Sequence, residues 1–406
     1  MTTNSPVTIV TIKNKIPLFK GEEQANAIEL IELEEVGYEL VANKTLYQIG
    51  DKAILIQPDY NLSDISLFDS FIRPNGDESK SMLGKVGGQA RRIRAKKFNL
   101  SKVPNGDPVY SNGILLPYME VNNYLNPDNK DMPELWKLDL TEKLGITKYE
   151  EPEHTNKYGI KTGTGKVFPE GVYKTDEENI NNLWNHLENK IGYPVTLVGT
   201  EKVDGSSITF GIKKGEPFIC SRNVNKPLTI KKVVNYRKPT IWEWIKSVFG
   251  IIPDLKVYEE VENDDDFVKY AKPYLNEMIK YPHDNCILRG ELNGGSLKGS
   301  GNKNNPASKE KANIKFFGVD NVVNGVAEKL PYEEFLGITN FFSAPPSTLQ
   351  FNRVTEVFNR EFTSKEDLLA ECNAYFKQNM IEGIVVRTLD SKFSAKVMNL
   401  EYDSKK

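Results

Sequence analysis

Between Glu150 and Phe168 the chain runs through Glu, Lys, Gly, Thr and Pro with no sustained apolar period. Such a stretch offers neither a helix nor a strand a face to bury, so it divides the chain instead of crossing a core. At 406 residues the chain is too long for one ordinary core, and a hydrophobic content of 39% is enough to fill two. The expected organisation is a front domain over residues 1–150, a linker over 151–168 and a back domain over 169–406. Ahead of the break the pattern is mainly that of strands. Val7 to Ile12 alternates, Ala53 to Pro58 follows the Gly50-Asp51 turn, and Gly113 to Met119 is another apolar run. Short strands with turn signals and few helical stretches suit a small β-barrel. Behind the break, Thr175-Asp176-Glu177-Glu178 reads as a capping box, with Ile180, Leu183, Trp184, Leu187 and Ile191 at helical spacing after it. A helix is therefore expected to open the back domain. Thr196 to Val198 and Ser207 to Ile212 read as strands flanking a loop.

That loop is Glu201-Lys202-Val203-Asp204-Gly205-Ser206-Ser207. It offers one lysine placed as a nucleophile, an acid two residues on, and a glycine that lets backbone approach a bound nucleotide. A lysine amine is nearly all protonated at neutral pH, so its use as a nucleophile requires nearby cations or burial to lower its pKa. Lys-x-Asp-Gly alone arises by chance in roughly one chain of this size in ten. Partner motifs decide the matter, and they follow in order: Cys220-Ser221-Arg222-Asn223, Ile287 to Leu292, Lys315-Phe316-Phe317-Gly318-Val319-Asp320, Ile381 to Arg387, and Ser394 to Asn399.

This set resembles motifs I, Ia, III, IIIa, IV and V of the covalent nucleotidyltransferases, the superfamily of ATP-dependent ligases and mRNA capping enzymes. Many of these enzymes carry an OB domain after motif V. Here seven residues follow Asn399, so no such domain is expected. The long front segment is instead similar to that of RNA ligases of the Deinococcus and Naegleria type. Arg92 to Lys97, Ser111 to Pro117 and Lys174 to Glu177 carry the further likeness, although Asn179 stands where those relatives usually have arginine. The implied fold class is α+β: an N-terminal OB-like β-barrel, then a nucleotidyltransferase domain of antiparallel sheets with flanking helices. The implied activity joins 3′-hydroxyl and 5′-phosphate RNA ends, at nicks held by a complementary strand, through lysyl-AMP and an adenylylated 5′ end. ATP and Mg²⁺ or Mn²⁺ are the implied cofactors.

The resemblance also implies roles. Lys202 takes AMP, with Asp204 and Gly205 beside it. Lys396 contacts the α-phosphate and Glu382 holds the divalent metal. Glu291 binds the ribose hydroxyls, Arg222 and Asn223 approach the ribose or the 5′-phosphate end, and Phe317 stacks on adenine. Arg289 is one further cation near this site by sequence, or equally one half of a salt bridge. A capping guanylyltransferase, a DNA ligase core and a nucleic-acid-binding protein without chemistry are the rival readings.

A net charge of −3 excludes a general polyanion-binding surface, so nucleic-acid contact is expected to be local. Arg91, Arg92, Arg94, Lys96 and Lys97 are the candidates for it, split between the two faces of one strand. Three cysteines without metal spacing suit a reducing compartment, and the three histidines fall in no motif for hydrolysis or zinc. No segment has the length and apolarity of a bilayer span. A monomer inside the cell is the expectation. The run Asp264-Asp265-Asp266 reads as a solvated turn before a helix, ahead of a metal site.

Overall fold

A computed structural model describes residues 5–127, 135–149, 167–238, 240–242, 256–280, 285–295 and 305–404. The expected linker lies almost wholly outside these residues. The front domain contains β1 (Val7–Lys20), β2 (Glu23–Leu33), β3 (Glu39–Asn43), β4 (Lys52–Ile56), β5 (Tyr60–Asn61), β6 (Gly84–Val86), β7 (Gln89–Arg92), β8 (Lys96–Ser101), β9 (Pro108–Ser111), β10 (Ile114–Pro117) and β11 (Thr147–Lys148). β1 serves three partners, meeting β8 at Phe19 besides two longer ladders. Val7 to Thr11 pair with β4, while Ile12 to Lys20 pair with β2, and the register shifts between Ile12 and Asn14. That irregularity bends the strand and turns one sheet upon itself in the order β10-β4-β1-β2-β3. The two outer edges meet without a ladder. The Asn112 N–H donates to the Glu39 carbonyl at 3.0 Å, and the Val41 N–H donates to Ser111 Oγ at 3.1 Å. Val10, Ile12, Ile31, Leu40, Leu55 and Leu115 fill the interior of this OB-like curl. A second core lies outside β4 and β10, where helix α1 (Tyr118–Leu125) contributes the fully buried Val121.

The back domain has two antiparallel sheets facing each other. One orders β21 (Glu356–Phe362), β12 (Val195–Lys202), β22 (Gly383–Thr388) and β23 (Ser394–Met398). The other orders β15 (Asn225–Lys226), β14 (Glu216–Cys220), β13 (Ser206–Lys213), β18 (Cys286–Asn293), β19 (Asn313–Val323) and β20 (Val326–Lys329). β16 (Thr229–Tyr236) and β17 (Lys256–Glu262) pair only with each other. Helix α2 (Asp266–Ile279) covers the second sheet, burying Val268, Ala271, Leu275 and Met278 against Phe210 and Phe316. Helix α3 (Tyr332–Ser343) adds Phe335 and Phe342 to that core, and helix α4 (Lys365–Gln378) covers the first sheet with Leu368 and Cys372.

Alternation along the strands then decides what is left over. On β22, Ile384 and Val386 enter the core under α4, so Val385 and Arg387 face the other sheet. On β18, Leu288 and Leu292 enter the core under α2, so Arg289 and Glu291 face the first sheet. That face of the second sheet is therefore polar at Arg289 and Glu291 and apolar beyond them, where Ile287 packs with Phe218 and Cys220.

The expected helix at Thr175 is not there. Residues 174–178 run without regular structure beside β23, where the Lys396 N–H donates to the Glu178 carbonyl at 2.8 Å. The two members of the supposed capping box turn away from each other: the Thr175 hydroxyl accepts from Arg289 at 3.2 Å, and Glu178 accepts from the Asn179 N–H and the Asn182 side chain, while between them Asp176 takes Lys148 and Glu177 takes Lys329 and Ser394. The cap falls instead on Asn179, whose side chain accepts from the Asn181 N–H at the start of a short 3₁₀ turn, followed by an α turn and a π turn ending at Ile191.

Candidate active site

Lys202 closes β12 opposite Gly383, the first residue of β22, so the residue just before that strand, Glu382, comes beside it. The Lys202 amine donates to Glu382 Oε2, with both side chains largely covered. Across the cleft, Ser207 on β13 lies opposite Glu291 on β18. Burial pushes the Glu291 carboxyl up to about 8, helped by the charges of Glu382 and Asp204 and opposed by Lys202 and Arg222. Glu382 thus contacts the amine, and Glu291 and Asp204 lie within electrostatic reach of one another. Gly205 has a local reason to be glycine. A Cβ there would lie 2.6 Å from the Leu292 carbonyl oxygen and 3.0 Å from Glu291 Cγ. The close approach expected for a nucleotide is made by strand β18.

Lys396 sits on β23 opposite Val385 and points into the cleft, 3.8 Å from Asp176 Oδ1. Asp176 also accepts from Lys148 at the end of the front domain and lies 4.0 Å from Arg222. Burial raises the Asp176 carboxyl, but Lys396, Lys148 and Arg222 outweigh it and hold the group below the usual carboxylate range. Lysines from two domains and an arginine therefore converge at the mouth of the cleft. Asn223, beside Arg222, accepts from the Lys174 amine at 2.9 Å.

Phe316 and Phe317 separate by strand alternation. Phe316 is fully buried against Tyr274 and Phe351, whereas Phe317 is half-buried and lines a small hollow between the sheets. Glu177, Lys329 and Arg387 share that hollow. Arg387 donates to the Phe317 carbonyl at 2.6 Å and to Thr200 Oγ1 at 3.3 Å, bracing both sheets. Arg289 is no free cation. It is buried, donates to Asp320 at 2.5 Å and lies with its guanidinium 4.4 Å from the centre of the Tyr173 ring.

The front basic cluster does not lie on one strand. Arg91 and Arg92 end β7, Arg94 lies in the bend that follows, and Lys96 and Lys97 begin β8 in a different sheet. Arg91 is 2.9 Å from Asp64, and Arg92 is 2.7 Å from Asp59 with its guanidinium 4.1 Å from the centre of the Tyr149 ring. Lys96 is exposed, and Lys97 lies 6.0 Å from the Tyr110 ring centre. The Asp264-Asp265-Asp266 run is a helix start: Asp265 caps α2 through the Phe267 N–H and takes the Lys226 amine at 3.1 Å.

No family model matches the sequence, and no curated protein matches it. Solved structures do match. A point variant of Naegleria gruberi RNA ligase with ATP and Mn is 21% identical, with a TM-score of 0.68 over 99% of this chain and 100% of that one. Another variant of the same ligase, with AMP and Mn, is 20% identical with a TM-score of 0.66 over 98% of each chain. The ligase with PPi gives 21% and 0.66, again over 98% of each. The chain has the fold of that RNA ligase. The sequence expectation of an α+β fold with mostly antiparallel sheets and flanking helices is met at this level.

Two groups at the site had no sequence signal. Tyr402, in helix α5 (Leu400–Ser404), donates from its hydroxyl to Asp204 Oδ2 at 2.7 Å, and Lys148 reaches Asp176 across the domain boundary. Neither belongs to a spaced motif; only the fold brings them in. Among the described residues no three His, Cys, Asp or Glu side chains stand together as a metal cage. The oxygen donors around Lys202 nevertheless fit a hard cation such as Mg²⁺ or Mn²⁺, which keeps several waters and asks few carboxylates of the protein. No helix among the described residues is long and apolar enough to cross a membrane.

Proposed function

We propose that this protein is an ATP-dependent RNA ligase that works through a lysyl-AMP intermediate. The observation that carries the reading is the meeting of Lys202 with Glu382, with Lys396 on the strand paired with the one after Glu382 and the Glu291 carboxyl within electrostatic reach of both. The likeness to a ligase solved with ATP, AMP and PPi supports it. In the first step the Lys202 amine, once deprotonated, attacks the α-phosphorus. A P–N bond forms, the bond to the β-phosphate oxygen breaks, and pyrophosphate leaves. AMP then passes to a 5′-phosphate oxygen and frees the amine. Finally a 3′-hydroxyl attacks the phosphorus of that 5′-phosphate, a phosphodiester forms, and AMP departs.

Phosphoryl transfer leaves the protein mainly the tasks of positioning and charge neutralisation. Lys396 meets the charge gathering on the α-phosphate. Glu382 would hold the divalent cation, which supplies charge neutralisation beside the amine and favours its neutral form. Glu291, mostly protonated at neutral pH without ligands, has a proton to donate toward a ribose oxygen. Phe317 offers a face to the base. Nicked RNA duplex is the proposed substrate, and the exposed Lys96 and the neighbouring Lys97 are the proposed backbone contacts.

Incubation with α-labelled ATP and magnesium or manganese, followed by denaturation, tests the reading. Label should remain on the protein, map to Lys202 and disappear in Lys202→Arg, because a guanidinium stays protonated. Label from GTP but not ATP would point to capping chemistry, and label on another lysine would sink the assignment. RNA-ended nicks should then be sealed in preference to all-DNA nicks and to free single strands.

A further inference from the structure

We propose that Tyr402 is a positioning residue for Asp204, and that its short helix makes docking of the front domain part of the lysine chemistry. The inference rests on the ligase reading above. Tyr402 is 1% exposed, and its hydroxyl donates to Asp204 Oδ2 at 2.7 Å. The Asp204 backbone is held separately, because Asn305 donates to its carbonyl at 2.7 Å. The Tyr402 hydroxyl therefore governs the direction of the carboxylate more than the path of the loop. That carboxylate is two residues from Lys202, and its charge reaches Glu291 on the facing sheet.

The helix is tied to the site at its start as well. The Asn399 N–H donates to the Glu382 carbonyl at 3.0 Å, the Asn399 side chain donates to the Ile381 carbonyl at 3.0 Å, and its oxygen caps the helix at Glu401. The next side chain after Tyr402 turns to the other domain. Asp403, also buried, accepts from the Ala95 N–H at 2.8 Å and lies 4.0 Å from the Arg92 guanidinium. Adjacent residues of one turn thus grip the lysine loop and the front barrel. A helix that only filled space would be served as well by phenylalanine at the first position and alanine at the second.

The test follows single-turnover formation of lysyl-AMP from ATP and magnesium on the full chain. Tyr402→Phe keeps the ring and loses the hydroxyl. Its rate constant should fall by about tenfold or more, the size of one lost hydrogen bond to a charged group, with ATP affinity changed by less than about twofold. An unchanged rate constant, or a loss confined to ATP affinity, overturns the assignment. Asp403→Ala should slow the same step and Asp403→Asn should restore it, since an amide oxygen still accepts the Ala95 N–H. Equal slowing in both, or in neither, overturns the docking half, and a cooperative thermal melt is required of every variant compared. If Tyr402→Phe gives no such melt, the Asp403 pair decides alone. A wild-type protein that takes no label would sink the ligase reading itself, an outcome separate from all of these.

Discussion

Lys202 is held in the ligand-free protein by the carboxylate that is expected to help activate it, and that pairing must loosen before the amine can attack. Removing the groups that neutralise the α-phosphate should therefore be costly. Glu382→Ala and Lys396→Ala should each lower lysyl-AMP formation about a hundredfold or more with the fold intact, and near-normal labelling in either would contradict the roles assigned to these two side chains. Glu291 offers a different readout. Its folded pKa of about 8 lies far above the roughly 4.3 of a free glutamate, so through that interval the folded protein binds more protons than the unfolded chain. The stability tied to Glu291 is therefore full below about pH 4, declines as pH rises and levels off above about 8. Melting temperatures of the ligand-free wild type should fall relative to Glu291→Gln between about pH 5 and about pH 9; parallel curves would rule this out. Phe316 and Phe317 separate stability from binding at neighbouring positions. Phe316→Ala empties a core site and should cost about 3–5 kcal/mol in denaturant unfolding. Phe317→Ala should stay within about 1 kcal/mol of wild type but weaken ATP binding about tenfold, as loss of a stacking face does.

Strand elements were legible because their signals are local. The alternation from Val7, the run after the Gly50-Asp51 turn and the apolar run from Gly113 became β1, β4 and β10, and ordered motifs fell on or beside β12, β18, β19, β22 and β23. The segment from Thr175 to Glu178 misled for the opposite reason. Its spacing fits a capping box, yet Arg289 claims the Thr175 hydroxyl and Glu178 turns to Asn179 and Asn182, while Lys148, Lys396, Arg222, Lys329 and Ser394 arrive from elsewhere to hold the two carboxylates between them. The basic cluster misled likewise. Five cations in seven residues look like one strand, but the chain bends after Arg92, and Asp64 and Asp59 pair with the first two. Long-range electrostatics cannot be read from a period. The same limit hid Tyr402, whose partner Asp204 lies 198 residues away.

At the scale of the whole molecule the two domains are docked through specific polar contacts. The Gly37 N–H donates to the Asn181 carbonyl at 2.7 Å, Asn182 donates to Gln57 at 3.0 Å, and a Cβ at Gly37 would come within 2.3 Å of the Trp184 ring. The front strands therefore pack directly against residues 181–184, and the arginines and lysines of the front segment are proposed to divide into two duties. Arg92 faces inward, between Asp59, Tyr149 and Asp403. Arg92→Ala would strand those acids at the junction, so it should slow lysyl-AMP formation and lower the melting temperature even with no RNA present. Lys96 faces water. Lys96→Ala should leave lysyl-AMP formation and melting unchanged and weaken only the steps that need a polynucleotide. Each phosphate that the protein no longer neutralises takes about one unit off the slope of log affinity against log salt, so binding of a nicked RNA duplex to Lys96→Ala should show a shallower salt dependence. Measuring adenylylation, melting and salt slope on the two variants side by side decides the division. If Arg92→Ala behaved like Lys96→Ala in all three, the docked front domain would be a passive clamp; a Lys96→Ala slope equal to wild type would leave the front barrel without its proposed hold on RNA.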